Sequence, residues 1–261
     1  MTSRIHPSAV VDPGAEFAGD VVVGPGAVVG PGVRVGPGTE IQAHAVIERN
    51  TDIGRDCLIG YGAVLGSAPQ DIHYREEPTR VSVGDETRIR EYATVHRGTG
   101  ATGVTRVGSR CFLMAYVHVA HDCVIGDDVV LANAVQLAGH VAVGHHAWIG
   151  GQTPVHQFVR IGEYAFVGGG SRVPQDVPPF GSVAGIPLRL LGTNSVGLRR
   201  AGFSPEVRLA LKHAFRRLFN SEIPTAAALD ELRRMPVLPE VERLLAFVET
   251  SERGVLVGSA D

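Results

Sequence analysis

The chain has 261 residues, with 24 Lys and Arg against 27 Asp and Glu, 33 glycines and only 6% aromatics. Balanced charge argues against a polyanion-binding surface, so no nucleic-acid partner is expected. With no run near ~18 apolar residues and no signal layout in MTSRIHPSAV, the expectation is a soluble cytoplasmic protein without stable membrane insertion. Its Cys57, Cys111 and Cys123 should be reduced, buried thiols.

From Ile5 onward every sixth residue is large and apolar: Val11, Phe17, Val23, Val29, Val35, Ile41, Ile47, Ile53, Ile59 and Leu65. The register returns at Val83, Ile89 and Val95, then runs unbroken from Val107 to Val173. Four residues after each large side chain sits a small one, as in Val23/Ala27 and Ile125/Val129, and all three cysteines take that slot. A period of six fits neither a helix nor a plain strand. It predicts an all-β solenoid, a parallel β-helix in which three hexads close one triangular coil and successive coils pair ~4.8 Å apart. Gly24, Gly54, Gly126 and Gly162 directly follow a large residue, where a corner would call for positive φ. The spacing leaves the handedness open.

Two stretches interrupt the register. Between Leu65 and Val83 the inward slots would hold Asp71 and Glu77, which cannot line an apolar bore unpaired. Residues 67–80 are therefore predicted to leave the coil as a loop, and 98–105 (GTGATGVT) to form a shorter loop or one weak hexad. After Val173 the pattern stops, and DVPPFGSVAGIPLRLLGT is expected to be an irregular connector. In SPEVRLALKHAFRRLF, Ser204 can cap, Pro205 suits a first turn, and Val207, Leu211, Ala214, Phe215 and Leu218 share one helical face. Short amphipathic segments follow near 225–235 and 239–250. The division expected is a β-helix over 1–190 and a small α-helical C-terminal domain over 191–261.

Residues 18 apart should stack on neighbouring coils, which puts Gly139 over His121 and His140 over Asp122, with His156 on the same face one coil further. His118 ends the preceding hexad. A neutral imidazole is a natural general base for a hydroxyl or amine attacking an acyl group. Asp122 could fix its tautomer, but neighbours on a strand point opposite ways, so the corner must bend the chain. Gly139 would let a backbone N–H approach an oxyanion. The rival chemistry is zinc: His140 and His145, five residues apart, resemble the γ-class carbonic anhydrases. A non-catalytic β-helix scaffold is the third reading, and it would show a flat, repetitive outer face.

ATVHRGT (93–99), QDIHYREEPTRV, AHDC followed by LAN and LAGH, then VHQF, QDVPP and GLRRAGFS occur in order along nearly the whole chain. In these motifs the chain resembles the acyl-carrier-protein–UDP-N-acetylglucosamine O-acyltransferases of lipid A biosynthesis. The resemblance implies a left-handed β-helix and a homotrimer with sites between subunits; with no HxE or Cys pair beside the histidines, no metal or other cofactor is expected. It also implies transfer of an (R)-3-hydroxyacyl chain from acyl carrier protein to the 3-hydroxyl of UDP-N-acetylglucosamine. His121 would be the base, Asp122 its assistant and the Gly139 amide the oxyanion donor. His118, His140, His156 and Gln157 would position substrate groups, Asp71 and His73 would reach in from the long loop, and Asn194 and Arg200 would hold the nucleotide. Gly169 would leave room for a longer acyl chain. His73 stands where the family usually has Lys, and Val196 and Ala201 where it often has Glu and Arg.

Overall fold

The computed structural model describes residues 3–219 and 223–256. Most strands are two residues long, and parallel pairing builds an 11-stranded sheet and two 8-stranded ones, each taking every third strand along the coil. We call these the first, second and third faces of the prism, in the order the chain visits them. The register is the one the hexads predict: Val10 pairs with Val28, Val22 with Glu40, and Val124 with Ala142.

The bore is filled from two slots. Ile41, Ile47, Ile59, Leu65, Ile89, Leu113, Leu131, Leu137 and Ile149 are fully buried, each burial stabilising by roughly 1.5–3 kcal/mol. Between them the small slot holds Ala27, Ala45, Cys57, Ala63, Cys111, Cys123 and similar residues, also buried. Threonines there are satisfied locally. Thr87 Oγ1 donates to the Gly108 carbonyl at 2.7 Å and accepts from the Cys111 amide at 3.1 Å. Burial pushes the Cys111 thiol up to about 11 and the Cys123 thiol to about 12.

The corners differ from the expectation. The left-handed φ falls two residues after the glycines singled out, at Gly26, Asp56, Asp128 and Tyr164, and mostly at residues other than glycine. The glycines earlier in each corner serve close approach instead. A Cβ on Gly24 would lie 2.8 Å from the Ala43 nitrogen, and one on Gly162 2.3 Å from the Pro179 nitrogen, both inside van der Waals contact with the next coil.

Both interruptions are loops, and their lengths show in the strand register. Leu58 pairs with Arg88 across the first insertion and Thr94 with His118 across the second, separations of 30 and 24 in place of 18. The coil also continues past Val173. Val155 bridges Val173, Ile161 bridges Val177, and Val183 stays in the core. The residues expected to form an irregular connector contain a parallel rung at Gly181–Ala184 that turns back antiparallel on Arg189–Thr193. Four helices follow: α1 (Ser195–Arg200), α2 (Pro205–Phe219), α3 (Thr225–Arg233) and α4 (Pro239–Glu249). Ser204 Oγ caps α2 by accepting the Val207 N–H at 3.2 Å. Leu211, Ala214, Phe215 and Leu218 of α2 enter a second core with Leu244, Leu245 and Phe180. No described helix is long and apolar enough to cross a membrane.

Candidate active site

The corner between the second and third faces brings the sequence candidates together. His121 and Asp122 follow the strand His118–Val119 and precede Val124–Ile125. Asp122 has φ 61°, a left-handed vertex that short polar side chains tolerate. This vertex breaks the strand alternation and turns the carboxylate back onto its neighbour. His121 Nδ1 and Asp122 Oδ2 are 2.8 Å apart, with the side chains 13% and 0% exposed. Burial pushes the Asp122 carboxyl up, but hydrogen bonds from Thr102, His121 and Thr99 outweigh it and hold the group below the usual carboxylate range. An ionised acceptor fixes the proton on Nδ1 and leaves the Nε2 lone pair free.

One coil on, Gly139 packs against that imidazole. A Cβ there would lie 2.5 Å from His121 Cε1 and 2.7 Å from Nε2, so only glycine leaves the ring its position. Among the described residues no group accepts the Gly139 N–H, so that donor is free for a developing anion. His140 crosses His121 edge-on with ring centroids 5.2 Å apart, and its Nε2 is 3.7 Å from Asp122 Oδ2. His118 accepts or donates at Nδ1 to Thr94 Oγ1 at 2.7 Å, and burial pushes it down to about 4, helped by His96 and His121. It is neutral at working pH. His156 and Gln157 lie on the same corner in the following coil, exposed, with His156 Nδ1 3.1 Å from the Gln157 carbonyl oxygen.

Other candidates lie elsewhere in the chain. Asp71 Oδ1 accepts the His73 N–H at 2.8 Å, an Asx turn inside the long loop. Among the described residues no hydrogen bond, ion pair or ring contact joins either residue to the histidines. Gly169 sits on the corner between the first and second faces, against Gly151. Asn194 and Arg200 line a cleft of ≈ 870 Å³ with Val196, Trp148, Tyr164 and Phe166, spanning the first face and its corner with the third. Asn194 is also structural there: its Oδ1 caps α1 at Gly197 N (3.0 Å) and its Nδ2 donates to the Tyr164 carbonyl (2.9 Å).

Four contributors escaped the sequence reading. Phe158 stacks on His140 at 4.5 Å and 8°; carrying the 18-residue rung one coil further finds it. His96 packs edge-on against His118 at 5.1 Å, with Nδ1 2.7 Å from the Ala68 carbonyl oxygen. The loop after His96 adds six residues to the rung and hides this neighbour. Thr99 and Thr102 reach Asp122 from that loop, and no periodicity could have placed them.

His121, Asp122 and His140 each offer a ligand atom within 4.8 Å of the others, the set a metal would need. Both Asp122 oxygens, however, already accept hydrogen bonds from Thr99 or Thr102, and Oδ2 also faces the His121 Nδ1 proton. His145, the other half of the zinc spacing, sits on the next corner, where its Nδ1 accepts the Asp127 N–H at 2.9 Å. The geometry is that of an acid–base dyad.

Residues 176–256 match the family model described as UDP N-acetylglucosamine O-acyltransferase, domain 2, and residues 2–37 and 105–139 match the bacterial transferase hexapeptide model. The acyl-[acyl-carrier-protein]–UDP-N-acetylglucosamine O-acyltransferase of Alkalilimnicola ehrlichii is 55% identical over 97% of this chain and 99% of its own length. That of Paraburkholderia phytofirmans is 50% identical at the same coverage of both chains. Among solved structures, LpxA from Acinetobacter baumannii superposes with a TM-score of 0.94 at 38% identity, covering 97% of this chain and 99% of that one. The UDP-N-acetylglucosamine acyltransferase of Bacteroides fragilis gives 0.95 at 36%, with the same coverage. The shared architecture is a left-handed parallel β-helix with a small helical C-terminal part.

Proposed function

Because the chain belongs to the acyl-[acyl-carrier-protein]–UDP-N-acetylglucosamine O-acyltransferase family, we propose that His121 and its surroundings carry out that family's reaction here. The enzyme transfers an (R)-3-hydroxyacyl chain from acyl carrier protein to the 3-hydroxyl of UDP-N-acetylglucosamine, the first step of lipid A biosynthesis. The observation that carries the residue assignment is the 2.8 Å contact from His121 Nδ1 to a buried, ionised Asp122, which leaves Nε2 as the base.

In the proposed mechanism His121 Nε2 takes the proton of the sugar hydroxyl while its oxygen attacks the thioester carbonyl. Charge developing on the carbonyl oxygen is met by the Gly139 N–H. Collapse breaks the C–S bond, and the imidazolium returns its proton to the leaving thiolate, so His121 is regenerated. No covalent enzyme intermediate is involved. Cys123, the nearest thiol in sequence, is fully buried and raised to about 12. Asp122, its charge stabilised by its donors, orients the ring and balances the imidazolium.

The histidine corner and the Asn194–Arg200 cleft occupy different parts of the prism. One site that uses both must draw on two copies, and a homotrimer is the assembly we propose. Surface chemistry supports it. The outward residues of the second face include Val10 and Val28, and those of the first include Trp148 and Phe166, all exposed. The third face presents the charged Glu16, Arg34, Asp52 and Arg106, with Val124 exposed among them and Arg160 covered by α4, and is the most polar of the three. The cleft would hold the nucleotide through Arg200, with Val196 and Ala201 giving fewer polar contacts than Glu and Arg would. Asp71 and His73 would reach the sugar from the long loop, and His118, His140, His156 and Gln157 would position the bound groups. Gly169 would admit a longer acyl chain. Arg199, Arg208, Lys212 and Arg216 would offer the acidic carrier a basic surface; Arg217 is already paired with Glu231.

Incubation with UDP-N-acetylglucosamine and a ladder of 3-hydroxyacyl carrier proteins, followed by weighing the products, tests this directly. A single ester-linked acyl group is expected, with the longer members of the ladder used best. Absence of transfer from every member would overturn the assignment.

A further inference from the structure

The short loop after Arg97 lies outside the coil's repeat, yet it supplies most of the hydrogen bonds to the deepest charged group of the site. The Asp122 side chain has 0% exposure. Thr99 donates its N–H to Oδ1 at 3.1 Å and to Oδ2 at 3.2 Å, and its hydroxyl to Oδ2 at 2.8 Å. The Thr102 hydroxyl makes a short hydrogen bond to Oδ1. That hydroxyl also lies 3.0 Å from the Val104 carbonyl oxygen, but it has one proton, and the charged acceptor is the stronger claimant. The Asp122 N–H in turn donates to Thr105 Oγ1 at 2.9 Å, so the loop's far end grips the same residue. Internally the loop is closed by Gly103 N donating to the Thr99 carbonyl at 2.8 Å and Ala101 N to Thr99 Oγ1 at 3.2 Å.

We propose that this loop is a clamp and that Thr102, with Thr99, is a positioning residue of the reaction. The inference rests on the assignment of His121 as the base and goes beyond it by asking what sets the basicity and orientation of that base. A carboxylate with a single donor would rotate and would concentrate its charge on the imidazole. Asp122 instead has its Oδ1 held by Thr102, so Oδ2 is the oxygen left facing His121 Nδ1. Two consequences follow. The tautomer and ring plane of His121 are fixed before substrate arrives. The carboxylate charge is also shared among the threonine donors instead of falling on the imidazole alone. The groups facing Asp122 are Thr99, Thr102, Thr105, His121 and, at 3.7 Å, His140. No Lys or Arg is in ion-pair contact with it among the described residues, so the hydroxyls and amide carry the effect.

The test is Thr102→Val, which keeps the shape and removes the donor. With one donor gone, more of the carboxylate charge acts on His121 and its protonation becomes easier. The acid limb of kcat/KM should therefore move to higher pH, and plateau kcat should fall about tenfold as the carboxylate loosens. KM for UDP-N-acetylglucosamine should stay within about twofold, because Thr102 touches no substrate in the proposed mechanism. Thr102→Ser should restore both the limb and the rate. If the Val variant gives no folded protein, Thr102→Ala removes the same hydroxyl without adding apolar bulk and carries the same expectation. A wild-type acid limb and kcat in the Val or Ala variant overturns the clamp, as does a Ser variant that fails alongside them. A dead His121→Ala beside an unaffected Thr102→Val would sink the clamp alone; an active His121→Ala would sink the base assignment beneath it.

Discussion

Gly139→Ala makes the sharpest use of coil registry. The substitution adds one carbon 2.5 Å from His121 Cε1 and 2.7 Å from Nε2. Carbon–carbon contact wants about 3.5 Å, so the ring must retreat by roughly 1 Å or the coils must part. Neither is cheap: the ring is tied to Asp122 at 2.8 Å, and the His121 carbonyl accepts the His140 N–H at 3.0 Å. A displacement of that size at a reacting group costs about 10² in rate. The expectation is a kcat lower by about 10², with about 1–3 kcal/mol lost from stability through overpacking. Steady-state assay of acyl transfer, beside a denaturation curve, measures both. His121→Ala removes the ring that the new methyl strikes. The double variant should therefore be no slower than His121→Ala alone and should recover stability relative to Gly139→Ala. A Gly139→Ala enzyme within about threefold of wild-type kcat would refute the stacking of amide on imidazole.

Three further outcomes follow from the same geometry. His118 is held near 4 against an ordinary 6.5, so the unfolded chain takes up a proton there that the folded one refuses. Stability from this group is fully present above pH 6.5 and falls as pH is lowered towards 4. His118→Gln should remove about 2 kcal/mol of the stability difference between pH 7.5 and pH 5, read from denaturant titrations at the two pH values; an unchanged difference would contradict it. The three cysteines are buried, with Cys111 and Cys123 raised to about 11 and 12. A thiol reagent at pH 8 should label none of them until denaturant is added, and rapid labelling of Cys123 in native protein would refute its inward placement. Mixed assemblies of inactive His121→Ala and Arg200→Ala chains should regain a fraction of wild-type activity if each site draws its base from one copy and its nucleotide cleft from another. Complete inactivity of the mixture would count against that division.

The coil itself was legible because two coupled slots, large and small, repeat at a fixed spacing, and that spacing alone stacks Gly139 on His121 and His140 on Asp122. The corner conformation was not. Glycine suggested positive φ at Gly24 and Gly162, whereas the vertex lies two residues on, at Gly26 and Tyr164, because the glycines answer the backbone of the next coil. That same displaced vertex is what allows Asp122 to reach its neighbour. Insertions hid the rest. Once a loop adds residues to a rung, as between Thr94 and His118, arithmetic on the sequence no longer finds the neighbour, and His96, Thr99 and Thr102 escape it. The run from Val177 to Thr193 escaped for a related reason. Its core residues are spaced irregularly, and its last strand turns back antiparallel.

Catalysis at this corner stands on a proton passing to one nitrogen. Product formation by assembled His121→Ala protein, followed by mass under enzyme excess with UDP-N-acetylglucosamine and a 3-hydroxyacyl carrier protein, addresses it without intermediaries. A rate lower by about 10³ or more is expected, in protein whose oligomeric state and melting match the parent. A rate within about tenfold of the parent would contradict it.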